Sequence, residues 1–173
     1  DAVERLGRAG AVQFLLPASP TTGAAFYRER IGGAPIQVID GENWDAMAHA
    51  TVVLAASGTV TIEAALLGAP MVTYYRVTGA TWLARPLVDV PFYTMVNLVA
   101  GRRIVPELIQ GEMTGERIAA EARRLLEDPA ARERMRADLA ETAQRLSLPG
   151  ARPMERAASV VTSLMEGQVA HVS

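Results

Sequence analysis

The fold is decided by one stretch, residues 54–64, which reads Leu-Ala-Ala-Ser-Gly-Thr-Val-Thr-Ile-Glu-Ala. The apolar run that leads into it, residues 51–55, predicts a buried strand, and residues 59–67 have the spacing of a helix that Gly68 and Pro70 bring to an end. A continuous apolar strand that passes through a short turn into a helix is typical of a parallel α/β layer.

The same alternation of apolar runs and helical patterns continues on both sides of this stretch. We expect the run at residues 51–55, the most hydrophobic one, to lie at the centre of a parallel sheet that helices cover on both faces. We expect the first strand to stop at Pro17. The other predicted elements are strands at residues 11–16, 36–39 and 71–75 and helices at residues 21–31 and 44–50.

A change in composition after Arg103 predicts a helical end to the chain. The residues there are rich in Ala, Glu, Arg and Leu with helical spacing. Asp128 can cap the second of these helices, and Pro129 suits its first position. The predicted helices lie at residues 116–126, 130–146 and 154–165.

The predicted fold class is therefore α/β, a Rossmann-like parallel sheet with helices on both faces followed by a helical tail. The break at residues 148–150, Leu-Pro-Gly, is a natural hinge that divides a domain at residues 1–147 from a C-terminal helix at residues 148–173. The last helix has a wide apolar stripe that needs cover. It either folds back on its own sheet or is covered by exchange between two copies of the chain in a homodimer.

Composition excludes several kinds of chemistry. All 17 basic residues are arginine, so lysine nucleophiles and a P-loop lysine are excluded, and the absence of cysteine excludes thiol chemistry and thiolate zinc sites. Two histidines are too few for a histidine metal site, and we expect neither a metal nor a cofactor. A net charge of −2 without a basic block gives no support for nucleic-acid binding.

The chain begins at Asp1 rather than Met, which suggests a piece of a longer protein.

The first candidate site is the turn between the strand and the helix of the opening stretch. Gly58 lets an anion approach the backbone, the hydroxyls of Ser57 and Thr59 can donate to phosphate oxygens, and the helix N-terminus favours negative charge. Glu63 lies one helical turn beyond Thr59, where a carboxylate can accept both hydroxyls of a ribose. The alternative is that Ser57 merely caps the helix and Glu63 is an ordinary solvated residue.

The second candidate site is residues 97–107, Asn-Leu-Val-Ala-Gly-Arg-Arg-Ile-Val-Pro-Glu. A loop with Asn97, Gly101 and Arg102 just after the α/β part can orient a sugar or a diphosphate, because the planar guanidinium of arginine binds two oxygens at once. The alternative is a surface turn with two solvated arginines.

These motifs together, in order and spacing over residues 12–110, resemble the C-terminal half of lipid-A-disaccharide synthase. The resemblance implies the C-terminal domain of a GT-B fold, in an inverting glycosyltransferase with two Rossmann-like domains. It also implies that the last helix crosses to the other domain or is exchanged between two copies of the chain. The family reaction transfers 2,3-diacylglucosamine from UDP to 2,3-diacylglucosamine 1-phosphate and releases UDP, in lipid A biosynthesis. The resembling motifs lie at residues 55–63, 70–76, 82–85, 97–102 and 105–108.

The resemblance also implies roles for individual residues. Ser57, Gly58 and Thr59 correspond to the turn that holds the UDP phosphates, and Glu63 to the acidic residue at the nucleotide ribose. The family's loop lining the donor pocket corresponds to Asn97, Gly101 and Arg102. The proposed catalytic carboxylate belongs to the N-terminal domain, which this chain lacks, so the chain alone is expected to be inactive. The implied location is cytoplasmic, with peripheral contact at the inner membrane left open.

Two other interpretations stay open at the level of sequence. The chain can belong to another UDP-sugar GT-B transferase or to an epimerase, with the same nucleotide site and a different sugar. It can also be a non-catalytic α/β binding module. Binding of UDP separates the nucleotide-dependent interpretations from the last one.

Overall fold

The computed structural model describes residues 1–8, 12–76, 91–146 and 153–165. The motif at residues 82–85 and the predicted hinge at residues 148–150 lie outside the described residues. The described part alternates short parallel strands with helices, which confirms the predicted α/β class and the helical C-terminal stretch.

The predicted elements in the described residues are present, with differences at their ends, whereas two short helices (Ala2–Gly7 and Met95–Ala100) and one strand (Glu107–Ile109) were not predicted. The strands are β1 (Phe14–Ala18), β2 (Ile36–Asp40), β3 (Val53–Ala56), β4 (Met71–Tyr75) and β5 (Glu107–Ile109). In the described residues the helices are α1 (Ala2–Gly7), α2 (Ala24–Arg30), α3 (Asn43–His49), α4 (Thr59–Leu66), α5 (Met95–Ala100), α6 (Gly115–Glu127), α7 (Pro129–Leu146) and α8 (Pro153–Met165), and Gln110–Glu112 forms a 3-10 turn.

The strands form two parallel sheets rather than the single predicted one. Strand β1 pairs with β2, with Phe14 opposite Ile36, and the second sheet has the order β3-β4-β5, with Val53 opposite Met71. The expectation that the most hydrophobic strand is central was wrong, because β5 adds to the far side of β4 and makes β4 the central strand. Strand β5 has three residues and begins with an acidic one, so no strand pattern marked it.

The expectation that the first strand stops at Pro17 was also wrong. It continues through Pro17 to Ala18, and Pro17 lies opposite Ile39 of β2. Proline lacks a backbone donor, but a strand with a free edge tolerates it where its nitrogen faces away from the paired neighbour. The strand therefore ends later than the sequence suggests.

The core lies between the three-stranded sheet and the helices that surround it. Helices α4, α5 and α7 contact one another, while α1 and α6 form a second group that contacts β4 through α6. The largest fully buried apolar side chains belong to β4, to the segment before β5 and to helices α5, α6 and α7, and they are Met71, Val72, Val96, Val105, Leu125 and Leu139. The predicted cap of α7 is confirmed, because Asp128 Oδ1 accepts from the amide of Ala131 at 2.9 Å.

The apolar stripe of helix α8 is exposed to solvent. Met154, Leu164 and Met165 are 83%, 64% and 83% exposed, and Val160 and Val161 are exposed as well. Apolar residues of this kind on a terminal helix are a surface that another element can cover. Of the helices that the structure describes, none combines the length and apolarity that crossing a bilayer requires.

Candidate functional site

The turn that follows β3 is tied to two neighbouring elements. The Ser57 amide donates to the carbonyl of Tyr74 in β4 at 2.9 Å, and Ser57 Oγ donates to the carbonyl of Tyr93, just before α5, at 3.1 Å. Ser57 therefore joins the turn to the segment that leads into the second candidate site. The carboxyl ends of parallel strands are where α/β folds bind ligands.

The N-terminus of α4 at this turn has no side-chain cap. Gly58 is the N-cap residue, and the part of the chain that the structure describes provides no side-chain cap hydrogen bond there. At α6 and α7, by contrast, Thr114 and Asp128 each accept a bond from the amide three residues further on. The alternative in which Ser57 merely caps α4 is wrong, because its hydroxyl bonds to Tyr93 instead. The uncapped amides of α4 therefore leave a partial positive charge that no side chain in residues 1–8, 12–76, 91–146 and 153–165 caps.

The space next to Gly58 is open. A Cβ atom placed on Gly58 meets no heavy atom of the described residues within 4 Å, and Thr59 beside it is exposed. The Thr61 hydroxyl donates to the Gly58 carbonyl at 2.7 Å, which holds the turn in place. As far as the described residues are concerned, a phosphate group can therefore reach the backbone amides at this point without displacing protein atoms.

Glu63 lies on α4 one turn beyond Thr59 and is half-buried. Among the described residues its carboxylate has no hydrogen-bond or ion-pair partner. Its i, i+4 relation to Thr59 places both side chains on one face of the helix. The carboxylate is thus available to a ligand that also contacts the turn.

Asn97 has a different environment, because it is fully buried in α5 rather than on a loop. Its Oδ1 accepts from the amides of Ile104 and Val105, and its Nδ2 donates to the Val105 carbonyl at 3.0 Å and to Glu107 Oε1 at 2.9 Å. These four bonds use the full capacity of a side-chain amide. Asn97 therefore holds residues 104–107 against α5.

Glu107 has a buried carboxylate, and its role could not be recognised from the sequence. Besides Asn97, the Thr94 amide donates to it at 2.8 Å and the Tyr93 amide at 3.4 Å. A buried charge needs such donors, and the N-terminus of a helix favours an acidic group. Because Tyr93 also accepts from Ser57, Glu107 and Ser57 anchor the same short segment. The sequence signal that could have identified Glu107 is its position as an acidic residue among the apolar residues from Val105 to Ile109.

The hydroxyls of Thr73 and Thr94 complete this network. Thr73 Oγ1 donates to the Pro106 carbonyl at 2.7 Å and lies 3.0 Å from Thr94 Oγ1. A hydroxyl has one proton, so Thr94 must be the donor to Thr73. The network thus connects β4, α5 and the residues before β5.

Gly101 and Arg102 follow α5 at the surface. Gly101 ends the helix with φ of 69°, a left-handed conformation that favours glycine. Arg102 Nη2 contacts Asp138 Oδ1 at 2.8 Å and Glu141 Oε2 at 3.1 Å, both on α7. The hydrogen bond to Asp138, with the bond to Glu141, raises the pKa of Arg102 above its ordinary value. Bonds from Arg145 and Arg102 lower the pKa of Glu141.

Two further features bear on the chemistry of this edge. Burial raises the pKa of the Tyr74 hydroxyl above its ordinary value of 10.0. Within the part of the chain that the structure describes, no group of three His, Asp or Glu side chains is placed to hold a metal ion.

The fold and this edge define a class, the parallel α/β domains that offer an open helix N-terminus and a nearby carboxylate to a ligand. Comparison with known proteins identifies the family. Residues 28–160 match the family described as "Lipid-A-disaccharide synthetase". The chain therefore belongs to the lipid-A-disaccharide synthase family.

Individual relatives agree with this assignment. A lipid-A-disaccharide synthase of Solibacter usitatus is 59% identical over 100% of the chain, which covers 45% of that relative. Those of Syntrophus aciditrophicus and Myxococcus xanthus are each 39% identical over 90% and 98% of the chain, which covers 41% and 46% of their lengths. The chain thus spans less than half the length of these relatives and corresponds to their C-terminal part.

Proposed function

We propose that this chain is the nucleotide-sugar-binding half of a lipid-A-disaccharide synthase. The observation that carries the proposal is the open N-terminus of α4, where Gly58 faces free space and Glu63 lies one turn away without a partner among the described residues. That arrangement offers amides for a diphosphate and a carboxylate for a ribose. Membership of the lipid-A-disaccharide synthase family supports the choice of a UDP-sugar as the ligand.

The proposed reaction transfers 2,3-diacylglucosamine from UDP to the acceptor 2,3-diacylglucosamine 1-phosphate with inversion at the anomeric carbon. The acceptor hydroxyl forms the new glycosidic bond as the bond to UDP breaks, and its proton passes to a base. Charge develops on the departing diphosphate, and the dipole of α4 together with its free amides stabilises that charge.

Within this proposal the turn and the helix have separate roles. Ser57, Gly58 and Thr59 bind the phosphates, and the bond from Ser57 to Tyr93 sets the position of the turn. Glu63 accepts from the ribose hydroxyls. Gly58 contributes by lacking a side chain at the point where the phosphate approaches.

The residues of the second candidate site support the donor pocket in a less direct way. Asn97 acts by holding residues 104–107 in place, because its amide has no remaining capacity for a ligand. Gly101 provides the turn that ends α5. Arg102 reaches the diphosphate only if it leaves Asp138 and Glu141, with which it is paired.

The catalytic residue of the transfer lies outside this chain in our proposal. In the described residues, the carboxylate nearest the turn along the chain is Glu63, which the proposal places at the ribose. We therefore expect no disaccharide formation by the chain alone. The proposed location is the cytoplasm, with peripheral contact at the inner membrane where both lipid substrates lie.

Calorimetric titration with UDP tests the proposal. We expect binding of UDP at micromolar to millimolar concentrations, and weaker binding of inorganic pyrophosphate, which lacks the ribose. Absence of UDP binding at several millimolar would instead favour a non-catalytic binding module. Equal binding of all nucleoside diphosphates would remove the basis for UDP as the donor.

The C-terminal helix is a separate part of the proposal. We propose that the exposed stripe of α8 is covered by the N-terminal domain of the whole enzyme or by exchange between two copies, with residues 148–173 acting as a unit. Light scattering of the 173-residue chain and of a version that ends at Ser147 tests the exchange. A dimer that survives the truncation, or a monomer before it, contradicts an exchanged helix.

A further inference from the structure

Glu107 is the one acidic or basic side chain that the described part of the chain buries in its core, with 4% of its surface exposed. Its donors there are the backbone amides of Tyr93 and Thr94 and the side-chain amide of Asn97, none of which is charged. A buried carboxylate loses its hydration, and a buried polar pair can often be replaced by apolar groups at little cost in stability. Core packing therefore does not explain why a carboxylate occupies this position.

The peptide unit between Tyr93 and Thr94 is held at both of its ends. Its N–H, which belongs to Thr94, donates to Glu107 Oε1 at 2.8 Å. Its carbonyl, which belongs to Tyr93, accepts from Ser57 Oγ at 3.1 Å. A trans peptide unit is planar, and its N–H and carbonyl point in opposite directions. The carboxylate of Glu107 and the hydroxyl of Ser57 therefore lie on opposite sides of one rigid unit.

A carboxylate suits this position because it has two acceptor oxygens and no donor. Oε1 accepts from Thr94, and the amide of Tyr93 donates to Oε2 at 3.4 Å, so the two oxygens face two consecutive amides. Hydrogen bonds to a charged acceptor are stronger than neutral ones, and bonds in a chain polarise one another. The bond from Thr94 to Glu107 therefore makes the Tyr93 carbonyl a stronger acceptor for Ser57.

Ser57 transmits this arrangement to the turn. It directly precedes Gly58, the N-cap residue of α4, where the free amides of the proposed phosphate site begin. Two bonds hold Ser57, because its amide donates to Tyr74 in the sheet and its hydroxyl donates to Tyr93. A binding site needs its groups held to within about 0.5 Å of the productive geometry. The position of the turn therefore depends on where the Tyr93 carbonyl lies.

We propose that Glu107 is a positioning residue for the phosphate-binding turn. Through the peptide unit between Tyr93 and Thr94, its carboxylate orients the carbonyl to which Ser57 donates, and Ser57 in turn fixes Gly58 at the start of α4. Glu107 is buried and touches no ligand itself. The inference rests on the proposed nucleotide site and adds to that site a residue that acts from the core.

Calorimetric titration of a Glu107→Gln chain with UDP and with inorganic pyrophosphate tests the proposal. Glutamine keeps the size of the side chain but replaces one acceptor oxygen by an N–H donor. We expect both ligands to bind more weakly by the same factor, about threefold to tenfold, because the turn holds the phosphates that they share.

The matched control is Thr142→Ala. Thr142 is also fully buried, and its hydroxyl donates to the Asp138 carbonyl within α7. Both variants should lower the free energy of unfolding, which urea denaturation measures. Affinities are compared at a temperature at which both chains are fully folded, and there Thr142→Ala should bind UDP and pyrophosphate as tightly as the parent chain does.

A double-mutant cycle with Ser57→Ala shows whether Glu107 acts through Ser57. In the Ser57→Ala chain, the further change Glu107→Gln should leave both affinities unchanged, because the link to the turn is already absent. Its effect on the free energy of unfolding should remain. A purely structural role would instead give no coupling between the two changes in affinity.

Amide hydrogen exchange in the parent chain gives a second measurement that needs no variant, and it decides the question if Glu107→Gln does not fold. Coupling between two sites is reciprocal, so a ligand on the turn must also stabilise the bond from Thr94 to Glu107. We expect saturating UDP or pyrophosphate to slow exchange of the Thr94 amide by a larger factor than exchange of the amides of α7.

Four results would overturn the proposal. Unchanged affinities in a folded Glu107→Gln chain, or independent losses in the double variant, would do so while leaving the nucleotide site in place. A loss for UDP alone would place the effect at the ribose. Exchange of the Thr94 amide that the ligands slow no more than that of α7 would remove the coupling. A parent chain that binds neither ligand would remove the proposed function and this inference with it.

Discussion

The turn at residues 57–63 and the segment at residues 97–102 were predicted as two parts of one ligand site, yet the fold treats their polar groups differently. In the first, the amides of α4 have no cap and Glu63 has no partner among the described residues. In the second, Asn97 has four bonds within the chain and Arg102 has two carboxylate partners. The first region therefore has polar groups available to a ligand, whereas the second uses its polar groups to hold the surrounding fold in place.

Loss of Asn97 should have the largest effect, and it should act on stability. Asn97→Ala removes four buried bonds and leaves the amides of residues 104 and 105 without an acceptor. We expect the free energy of unfolding to fall by at least about 3 kcal/mol, since each unsatisfied buried group costs roughly 1–3 kcal/mol. Urea denaturation measures it, with the exposed Arg103→Gln as the control. A stable Asn97→Ala chain that fails to bind UDP would instead make Asn97 a ligand contact.

Change of Glu63 should affect binding and leave stability nearly unchanged. Glu63→Gln removes a charged acceptor for the ribose hydroxyls, which we expect to weaken UDP binding by about 1.5–3 kcal/mol. Binding of pyrophosphate should hardly change, because it has no ribose. Calorimetry with both ligands measures this, and Glu116→Gln, on the exposed first turn of α6, is the matched control. Equal losses for both ligands would move Glu63 away from the ribose.

A methyl group at Gly58 tests the approach of phosphate to the backbone. The added methyl group of Gly58→Ala meets no atom of the described residues within 4 Å, so the melting temperature should stay close to that of the parent chain. Binding of both UDP and pyrophosphate should weaken by about tenfold, or about 1.4 kcal/mol. Gly111→Ala, which also meets open space, serves as the control. Unchanged binding of both ligands would show that the phosphates lie elsewhere.

The two partners of Arg102 offer a gain-of-binding test. The double change Asp138→Asn with Glu141→Gln frees the guanidinium from both carboxylates. If Arg102 reaches the diphosphate, UDP affinity should rise by about twofold to fivefold, in proportion to the small energies of exposed ion pairs. Addition of Arg102→Gln should then abolish the gain. An affinity that does not respond to either change confines Arg102 to its contact with α7.

The smallest effect concerns alkaline pH. The pKa of Tyr74 is raised by burial, so the folded state holds its phenolic proton more tightly than the unfolded state does. The stabilising contribution is therefore present below the ordinary value of 10.0 and is lost as the pH rises above it. Tyr74→Phe should show a shallower fall of the melting temperature between pH 9 and pH 11. A fall as steep as that of the parent chain contradicts the assignment.

Much of the fold could be predicted because it depends on local patterns. The apolar runs at residues 36–39 and 71–75 became β2 and β4, and the Asp128-Pro129 pair begins α7 as expected. The errors in the strand order share one cause, because no local sequence pattern records which distant strands pair with one another. The central place of β4 depends on β5, a three-residue strand contributed from beyond α5.

The sequence predicted the residues of the candidate site but not the contacts that they make. Residue types and spacing identified Ser57, Gly58, Thr59 and Glu63, since anion binding at a helix N-terminus depends on residues close together in sequence. The partners of Asn97 and Arg102 could not be foreseen in the same way. Their positions depend on how α5 packs against α7 and against residues 104–107.

The sequence by itself determined the alternation of strands and helices, the glycine at the α4 turn and the family, because propensity, helix ends and motif order are local properties of the chain. Only the tertiary structure decided which polar groups remain available. Packing occupied all four hydrogen-bonding positions of the Asn97 amide and placed Arg102 against α7, while the turn at Gly58 stayed open among the described residues. The physical reason is that a hydrogen bond to one partner excludes another, and partners are chosen by packing across long stretches of chain.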